Sequence, residues 1–362
     1  MPDKIKIEVI PAPEIDRSFQ HGSNGWLGGD CAFSLPLAHD RVLWLFGDSF
    51  IQEKNRWSRE GAGLINNSIA IQQGKTINTD SLHFYWNQHN GQHRAFFVNE
   101  NEPGFLWPLS AIRVAAKLFV FCVRIQIVDP ANVFGFRQIG NEIFCIENPD
   151  DPPDHWKMNV HKLPFQRSLG SFGSNFLVSN DYVYIYGYRN LKSGWDDADI
   201  HLIIARIKPE LANEIYNQDH WEYLDGGTGN WHRDIHQLKP VLEHFTTEFS
   251  VTFVPGFGKY VLVANAWKHP HPITVRWSDS PYGPFSEPKI IYHCPEIDWS
   301  PNYFCYAAKA HPELAEADNE LVVSYMTNSK AMWEVFEDLR IYFPRFLKIV
   351  FDMKSIKNFF DR

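Results

Sequence analysis

The chain has 362 residues and a formal net charge of −9, with 44% hydrophobic and 21% charged residues. This composition is typical of a globular protein with a sizeable core, and the length allows two domains or one large repetitive β architecture. Basic residues do not cluster with interleaved aromatic residues, so we expect no nucleic-acid partner.

The five cysteines are scattered and form no Cys-x-x-Cys pair, which is typical of small core residues rather than metal ligands. The first residues contain no apolar signal-peptide segment, and no apolar run reaches the roughly 18 residues that a membrane span needs. As written, the chain is expected to stay in the cytoplasm, or to be exported if it is a processed form.

The first chemically informative stretch, 26–50, contains two apolar runs joined by a polar turn at 39–41. Asp30 precedes the first run and Asp48 ends the second. Antiparallel pairing places the start of one strand beside the end of its neighbour, so the pattern predicts a hairpin with both carboxylates at one end. An acid/base pair would need this geometry.

A strand-like apolar pattern recurs five times along the chain, at 43–47, 118–122, 183–187, 260–264 and 321–325. Each copy follows another strand-like run, at 31–37, 107–114, 174–179, 250–255 and 306–311. Successive copies start 61 to 77 residues apart, which leaves room for about four short strands in each unit. The repeat predicts an all-β, five-bladed β-propeller, with the first strand of each blade lining a central channel.

Helical patterns are limited to 209–216 and 331–339, too few to cover a parallel sheet. Without a linker-like tract, we expect one domain over 1–362, with blades at roughly 20–90, 95–150, 157–225, 232–285 and 288–351. Ring closure would use 5–10 or 346–351, and the sequence leaves both open. The 16 histidines show no zinc-ligand spacing, while a calcium or sodium ion on the propeller axis stays open.

An ordered set of motifs resembles glycoside hydrolase family 183, the endo-D-arabinanases first catalogued as domain of unknown function 4185. The matching segments are Gly28-Gly29-Asp30, 43–50, Asn66-Asn67-Ser68, 106–108, 205–206, 221–223, 248–250, 278–284, 306–314 and 342–346. The resemblance covers about residues 20–350 and implies a five-bladed propeller that hydrolyses a furanose polysaccharide. It also implies that Asp30 and Asp48 carry catalysis. Many family members look exported, whereas this chain shows no export signal.

Glycosidic hydrolysis needs one protonated carboxyl group and one ionised carboxylate. Asp30 and Asp48 are the best-placed pair, and crowding in a water-poor funnel should separate their pKa values. Glu248, before the first strand of the fourth blade, is a third candidate, as an acid or as a modulator of the other pKa values. The alternative is that the aspartates only close a turn and cap a strand.

Further residues near the predicted strand ends are candidates for sugar binding, by hydrogen bonds to hydroxyl groups or by stacking on sugar rings. The polar candidates are Asn67, Ser174, Asn175, His311 and Arg345, and the aromatic candidates are Trp26, Trp107 and Tyr306. For each residue taken alone, a structural role is the alternative. The expected partner is an oligosaccharide or polysaccharide.

Two other classes of function compete with a glycosidase. Asp48-Ser49 follows Gly47, which resembles the Gly-Asp-Ser opening of SGNH-type serine esterases with Ser49 as nucleophile. Such esterases need a helix after the serine and an Asp-x-x-His motif near the C-terminus, but a polar loop follows Ser49 and the motif occurs only at 80–83. The third hypothesis is a propeller that binds carbohydrate or protein without turnover.

Overall fold

The computed structural model describes residues 5–20, 25–192, 198–268 and 270–352, and within them the fold is all-β with few helices. Strand β1 (Ile7–Pro11) leads into helix α1 (Pro13–Gln20), which was not predicted. Phe19 anchors α1 in the core, where its ring stacks on Phe346 at 5.3 Å. None of the helices described is long and apolar enough to span a membrane.

The first sheet region contains two sheets whose strands alternate along the chain. Its strands are β2 (Trp26–Gly29), β3 (Phe33–Pro36), β4 (Arg41–Phe46), β5 (Ser49–Ile51), β6 (Gly63–Ile65), β7 (Ser68–Gln73) and β8 (Leu82–Tyr85). The main sheet has the order β3-β4-β7-β8, and the smaller sheet has the order β2-β5-β6. The β3 and β4 strands therefore continue into β2 and β5 beyond the two aspartates. A separate hairpin follows, made of β9 (Asn87–His89) and β10 (Gln92–Arg94).

The next three main sheets are antiparallel and keep the sequence order of their strands. The second consists of β11 (Phe105–Val114), β12 (Lys117–Ile127), β13 (Phe136–Ile146) and β14 (Met158–Leu163). The third consists of β15 (Ser171–Val178), β16 (Val183–Asn190), β17 (Ile200–Ile207), β18 (Trp221–Asp225) and β19 (Asn230–His232). The fourth consists of β20 (Phe249–Val254), β21 (Lys259–Asn265), β22 (Ile273–Ser278) and β23 (Lys289–Tyr292).

The fifth main sheet joins the two ends of the sequence. It contains β24 (Tyr303–His311), β25 (Glu320–Ser329) and β26 (Arg345–Phe351), and β1 pairs with β26 as its outermost strand. Both segments proposed for closure therefore take part in it. Helix α2 (Met332–Glu337) lies within the predicted helical segment 331–339, whereas the segment at 209–216 forms a 3-10 helix, Pro209–Glu214. Other 3-10 turns are Thr79–Ser81, Pro153–His155, Gln218–His220, Ile235–Gln237, Pro295–Asp298 and Pro312–Leu314.

The five main sheets follow one another around a common centre. The first strand of each approaches the first strand of the next, in the cycle β3, β11, β15, β20, β24 and back to β3. Apolar clusters fill the spaces between neighbouring sheets, and Trp44 of the first sheet shares a cluster with Val322 and Phe346 of the fifth. Burial of these apolar faces against each other holds the sheets together.

Candidate active site

The backbone brings Asp30 and Asp48 to the same end of the β3-β4 hairpin. Asp30 N donates to Asp48 O at 2.8 Å, and Gly47 N donates to Asp30 O at 2.8 Å. These bonds link the main sheet to the smaller sheet, in which Gly29 pairs with Ser49. Both side chains are partly exposed. The sequence pattern of the hairpin therefore predicted the location of this pair from local pairing alone.

Asp48 accepts hydrogen bonds from two N–H groups, which stabilise its ionised form, whereas burial destabilises that form. Trp107 Nε1 lies 2.8 Å and Asn66 Nδ2 lies 3.3 Å from Asp48 Oδ1. Burial raises the pKa of Asp48 to about 7, the negative charge of Asp30 adds to that increase, and the two N–H donors oppose it. Asp48 can therefore exchange a proton near neutral pH.

Asp30 contacts the fifth sheet. The Tyr306 hydroxyl donates to Asp30 Oδ1, and the Cys31 thiol lies 3.5 Å from the same oxygen. Burial raises the pKa of Asp30, and these hydrogen bonds lower it in part. Tyr306 thus ties the first sheet to the fifth at the carboxylates.

Glu248 brings a third carboxyl group from the fourth sheet, directly before β20. Burial, with a smaller contribution from the negative charge of Asp30, raises its pKa to about 7. Its carboxylate accepts hydrogen bonds from the hydroxyl groups of Thr246 and Thr247 and from its own backbone N–H, and these bonds lower the pKa in part; Thr246 Oγ1 lies 3.4 Å from Glu248 Oε2. Because the three carboxyl groups share a poorly solvated region, they cannot all ionise easily at neutral pH.

The backbone near these residues departs from regular strand geometry. Cys31, Ala307 and Tyr342 have φ values of 61°, 56° and 66°, in the left-handed region that residues with a side chain rarely adopt. The β11, β15 and β24 strands each contain a register shift, and in β24 it lies between Tyr306 and Lys309. Such bulges redirect side chains, and unusual backbone angles often occur at functional sites.

Aromatic rings line the region on both sides of the aspartates. Trp107 lies between Phe105 and Phe136, with ring centroids 5.5 and 4.8 Å away. Tyr306 contacts Phe304 at 5.4 Å, and Phe304 contacts Phe134 at 5.8 Å. Phe134 belongs to the β12-β13 connection of the second sheet, so aromatic contacts link the second sheet to the fifth beside the first. Rings with this arrangement can stack on the apolar faces of sugars.

Three residues predicted to contact sugar are wrong assignments because they are fully buried. Trp26 stacks on Phe84 at 4.5 Å inside the core, and its Nε1 donates to Ser68 Oγ at 3.1 Å. Asn67 donates to Leu106 O at 2.9 Å and holds a neighbouring loop. His311 lies 2.7 Å from Ser324 Oγ, and burial lowers its pKa to about 3.

The other predicted polar binding residues do not contact the aspartates. Ser174 and Asn175 are buried in β15, and Asn175 Nδ2 donates to Val251 O at 3.1 Å. Arg345 Nε lies 3.1 Å from Glu296 Oε1, and its guanidinium covers the Trp299 ring at 5.4 Å. Of the predicted binding residues, Trp107 and Tyr306 are the two that contact the aspartates directly.

The esterase hypothesis is contradicted by the surroundings of Ser49. The side chain is fully buried, its Oγ donates to Gly47 O at 2.8 Å, and strand β5 rather than a helix follows. A nucleophilic serine needs an adjacent base and access to substrate. Ser49 therefore has a structural role.

Several residues near the site were not predicted from the sequence. Burial raises the pKa of Tyr342, and the charges of nearby Asp30 and Asp48 add to that increase. Buried Lys309 occupies the position where the first strands of four sheets meet. A lysine within the apolar run Ala307-Ala308-Lys309-Ala310 was the available signal.

The residues at the centre do not fit the calcium or sodium ion that the sequence left open. Among residues 5–20, 25–192, 198–268 and 270–352, no group of three His, Cys, Asp or Glu side chains is placed to hold a metal ion. Lys309 places a nitrogen at this centre, where calcium and sodium would need oxygen ligands. We therefore derive no catalytic step through a metal.

The sequence matches the family described as Domain of unknown function (DUF5005) over residues 16–355. The chain belongs to this family. Membership of the DUF5005 family assigns no reaction, and the resemblance to glycoside hydrolase family 183 stays a prediction. No curated protein matches the chain.

Two solved structures resemble this DUF5005 protein over nearly the whole chain. A provisionally named hydrolase from Bacteroides ovatus has 19% identity and a TM-score of 0.74, covering 99% of this chain and 95% of that one. A family 117 glycoside hydrolase from Zobellia galactanivorans has 10% identity and a TM-score of 0.54, covering 96% and 91%. At these identities, the likeness shows a shared fold.

Proposed function

We propose that this protein is a glycoside hydrolase that acts on a furanose-containing glycan of the D-arabinan type. The observation that carries the proposal is the pairing of Asp30 and Asp48 at one end of the β3-β4 hairpin, where the charge of Asp30 also acts on Glu248 and burial raises the pKa of all three groups. Hydrolysis of a glycosidic bond requires carboxyl groups in different protonation states. The names of the two similar structures, a hydrolase and a glycoside hydrolase, support the same reaction class.

We further propose that the five main sheets are the blades of a five-bladed propeller. The cyclic approach of their first strands supports this, as does the pairing of β1 with β26 in the last sheet. In that arrangement, the three carboxyl groups lie at one end of the central channel. A glycan would reach them along the aromatic rings of Trp107 and Tyr306.

We assign the base or nucleophile role to Asp48 and the acid role to Glu248. Two side-chain N–H donors lie 2.8 and 3.3 Å from Asp48 Oδ1 and favour its ionised form, whereas the Thr246 hydroxyl lies 3.4 Å from Glu248 Oε2 and stabilises the ionised form of Glu248 less. Asp30 would influence the protonation of Asp48 and of Glu248, since its negative charge raises the pKa of each. As Glu248 has a pKa of about 7, kcat/KM should fall as pH rises above about 7 and the acid loses its proton.

The first experiment measures hydrolysis of furanose polymers, D-arabinan included, with sizing of the products. Asp30→Asn and Asp48→Asn should each lower turnover by about 10²–10⁴-fold, because they remove the charge or transferable proton while keeping the shape. Asp40→Asn is the matched control, since Asp40 is exposed at the opposite end of the same hairpin. Parental turnover in both site variants would rule out the aspartate pair.

A second experiment separates the roles with two kinds of substrate. Glu248→Gln should recover activity on aryl glycosides with good leaving groups, which need no acid, whereas Asp48→Asn should recover with added azide. Recovery of Asp48→Asn by the good leaving group alone would reverse the two assignments. A parent protein that binds a glycan but cleaves none would indicate the non-catalytic propeller.

A further inference from the structure

Helix α2 displays its apolar side chains to solvent. Met332, Trp333 and Phe336 are 42%, 60% and 36% exposed, whereas Glu334 of the same helix is buried. A helix on the surface of a globular protein normally buries its apolar face and exposes its charged residues. The reversed arrangement leaves an apolar surface formed by Met332, Trp333 and Phe336, which we call the α2 platform. Such a surface is typical of a binding site.

Buried hydrogen bonds hold α2 in this orientation. Glu334 Oε1 accepts from Ser300 Oγ at 2.7 Å, and the other oxygen of this carboxylate accepts from the Ser329 hydroxyl. On the same helix, Val335 O accepts from Arg59 Nη1 at 2.7 Å. Because the buried side of the helix is fixed, the two rings of the platform stay side by side on its outer face. Rings that are already fixed lose little conformational entropy when a ligand covers them.

The α2 platform lies at the same end of the molecule as the aspartates. Tyr306, whose hydroxyl donates to Asp30, belongs to β24. Tyr303, at the start of that strand, pairs with Ser329 at the end of β25, and α2 begins three residues later. A ligand bound at the aspartates can therefore extend to α2 along one end of the protein.

Two ring contacts connect the platform to the residues beside the aspartates. The Phe336 and Phe50 ring centroids are 5.0 Å apart, and those of Phe50 and Tyr342 are 5.5 Å apart. The Phe336 and Tyr342 rings are therefore separated by no more than about 10.5 Å, the sum of these two distances. Tyr342 is in turn near Asp30 and Asp48, whose charges contribute to the increase in its pKa. One extended glycan chain could cover both the candidate site and the platform.

The chemistry of the platform favours a neutral sugar chain. Indole and phenyl rings can stack on the apolar faces of sugars, and the indole N–H of Trp333 can donate to a sugar hydroxyl group. The platform has no charged side chain to hold a phosphate or a carboxylate. The net charge of −9 also disfavours an acidic polymer, and it disfavours a second copy of the same chain.

We propose that Trp333 and Phe336 bind a glycan chain at sugar units beyond the point of cleavage. This inference rests on the glycosidase function proposed above and adds that the substrate is a polymer or a long oligosaccharide. Sugar units bound at the platform add affinity without taking part in bond cleavage.

The first test compares two substrates of different length. D-arabinan can extend from the aspartates to α2, whereas an aryl D-arabinofuranoside is too short. Trp333→Ala should therefore raise the ratio of the KM for D-arabinan to the KM for the aryl glycoside by about 5- to 10-fold, through the loss of one stacked ring. Trp333→Phe keeps a ring and should bring the ratio back toward the parental value. An unchanged ratio in Trp333→Ala would overturn the proposal.

Phe253→Ala is the matched control for the loss of an exposed ring. Phe253 is 47% exposed, and it lies near the end of β20, whereas Glu248 precedes the start of that strand. Phe253→Ala should therefore keep the parental ratio of KM values. An equal rise in Phe253→Ala and Trp333→Ala would contradict a site on α2.

A second test measures binding without cleavage, so that it separates the platform from the proposed hydrolysis. Asp48→Asn should be retarded in a native gel that contains D-arabinan, and added Trp333→Ala should abolish most of the retardation. The same dependence on Trp333, with a parent that cleaves no glycan, would support the platform and contradict the hydrolase. Cleavage by the parent, with retardation unaffected by Trp333→Ala, would contradict the platform alone. Absence of both cleavage and retardation would contradict both proposals.

Discussion

Asp48 lowers the stability of the fold at neutral pH, and this effect can be measured without a substrate. The pKa of Asp48 rises from its usual 3.8 to about 7 on folding, so the folded state binds its proton more tightly than the unfolded state. The free energy of unfolding should therefore decrease as pH rises from about 4 to about 7. Catalytic groups often sacrifice stability in this way.

We predict that Asp48→Asn is more stable than the parent at pH 8 and that the difference shrinks toward pH 4. The amide does not titrate, so the free energy of unfolding of the variant lacks the decrease with pH that Asp48 causes. Urea denaturation of both proteins across this pH range tests the prediction. A difference that grows toward acid pH would show that burial does not raise this pKa.

Ser49 provides a second prediction at the residue scale. Its hydroxyl lies 2.8 Å from Ser68 Oγ, which accepts the indole N–H of Trp26. Ser49→Ala leaves the Ser68 proton without its acceptor and should lower the free energy of unfolding by about 1–3 kcal/mol. Turnover should stay close to that of the parent, since Ser49 is not placed to touch substrate. Loss of turnover equal to that of Asp48→Asn, with labelling by a serine-directed phosphonate, would instead support the esterase hypothesis.

The sequence predicted the positions of some site residues correctly and those of others incorrectly or not at all. Asp30 and Asp48 were located because a short hairpin determines their proximity. Trp26 and His311 were misassigned because burial depends on sheets that pack from distant parts of the chain. Lys309 was missed for the same reason, since its partners belong to β11 and β15.

Among the elements, the repeated strand pairs were the most predictable. The apolar run at 118–122 lies in β12, the run at 43–47 lies in β4 except for Gly47, and the preceding runs correspond to β3 and β11. The bulges and the smaller sheet β2-β5-β6 were not foreseen, because short strands and register shifts follow tertiary contacts rather than residue periodicity. The predicted helix at 209–216 formed only a 3-10 helix, which is consistent with the high nucleation cost of short helices.

One buried side chain holds the connection between β25 and β26 in place. Arg59 donates to Leu27 O at 2.8 Å, to Val335 O at 2.7 Å and to Ile341 O at 2.8 Å. The β25-β26 connection that Arg59 stabilises includes α2 and Tyr342, which lies beside the aspartates. A planar guanidinium can serve several carbonyl groups that a lysine ammonium cannot reach together.

We predict that Arg59→Lys lowers the free energy of unfolding by about 3 kcal/mol and increases hydrogen exchange in residues 331–343. The fifth sheet outside this segment should keep its protection. Arg56→Lys, an exposed position on the same loop, is the control and should leave both measurements unchanged. Uniformly faster exchange throughout the molecule in Arg59→Lys would contradict a local role.

For the whole molecule, the pairing of β1 with β26 is the long-range contact with the clearest test. Ile7 pairs with Phe351, and Ile5, Ile7 and Val9 pack against the core between the fourth and fifth sheets. Removal of residues 1–11 should lower Tm by at least about 5 °C, because it strips the outer strand from the last sheet. Removal of residues 1–4 alone leaves β1 intact and should preserve the parental Tm. Equal Tm values in the two truncated proteins would show that β1 contributes little.

The same pairing sets an order of events during synthesis on the ribosome. β1 emerges before the other main-sheet strands, yet its partner β26 is translated after all of them. Four sheets can therefore assemble from consecutive strands while β1 is still unpaired, and the fifth can be completed only after β26 has emerged. Until then, an unpaired strand edge is open to pairing with other nascent chains. Aggregation should therefore depend on how quickly β24, β25 and β26 are translated.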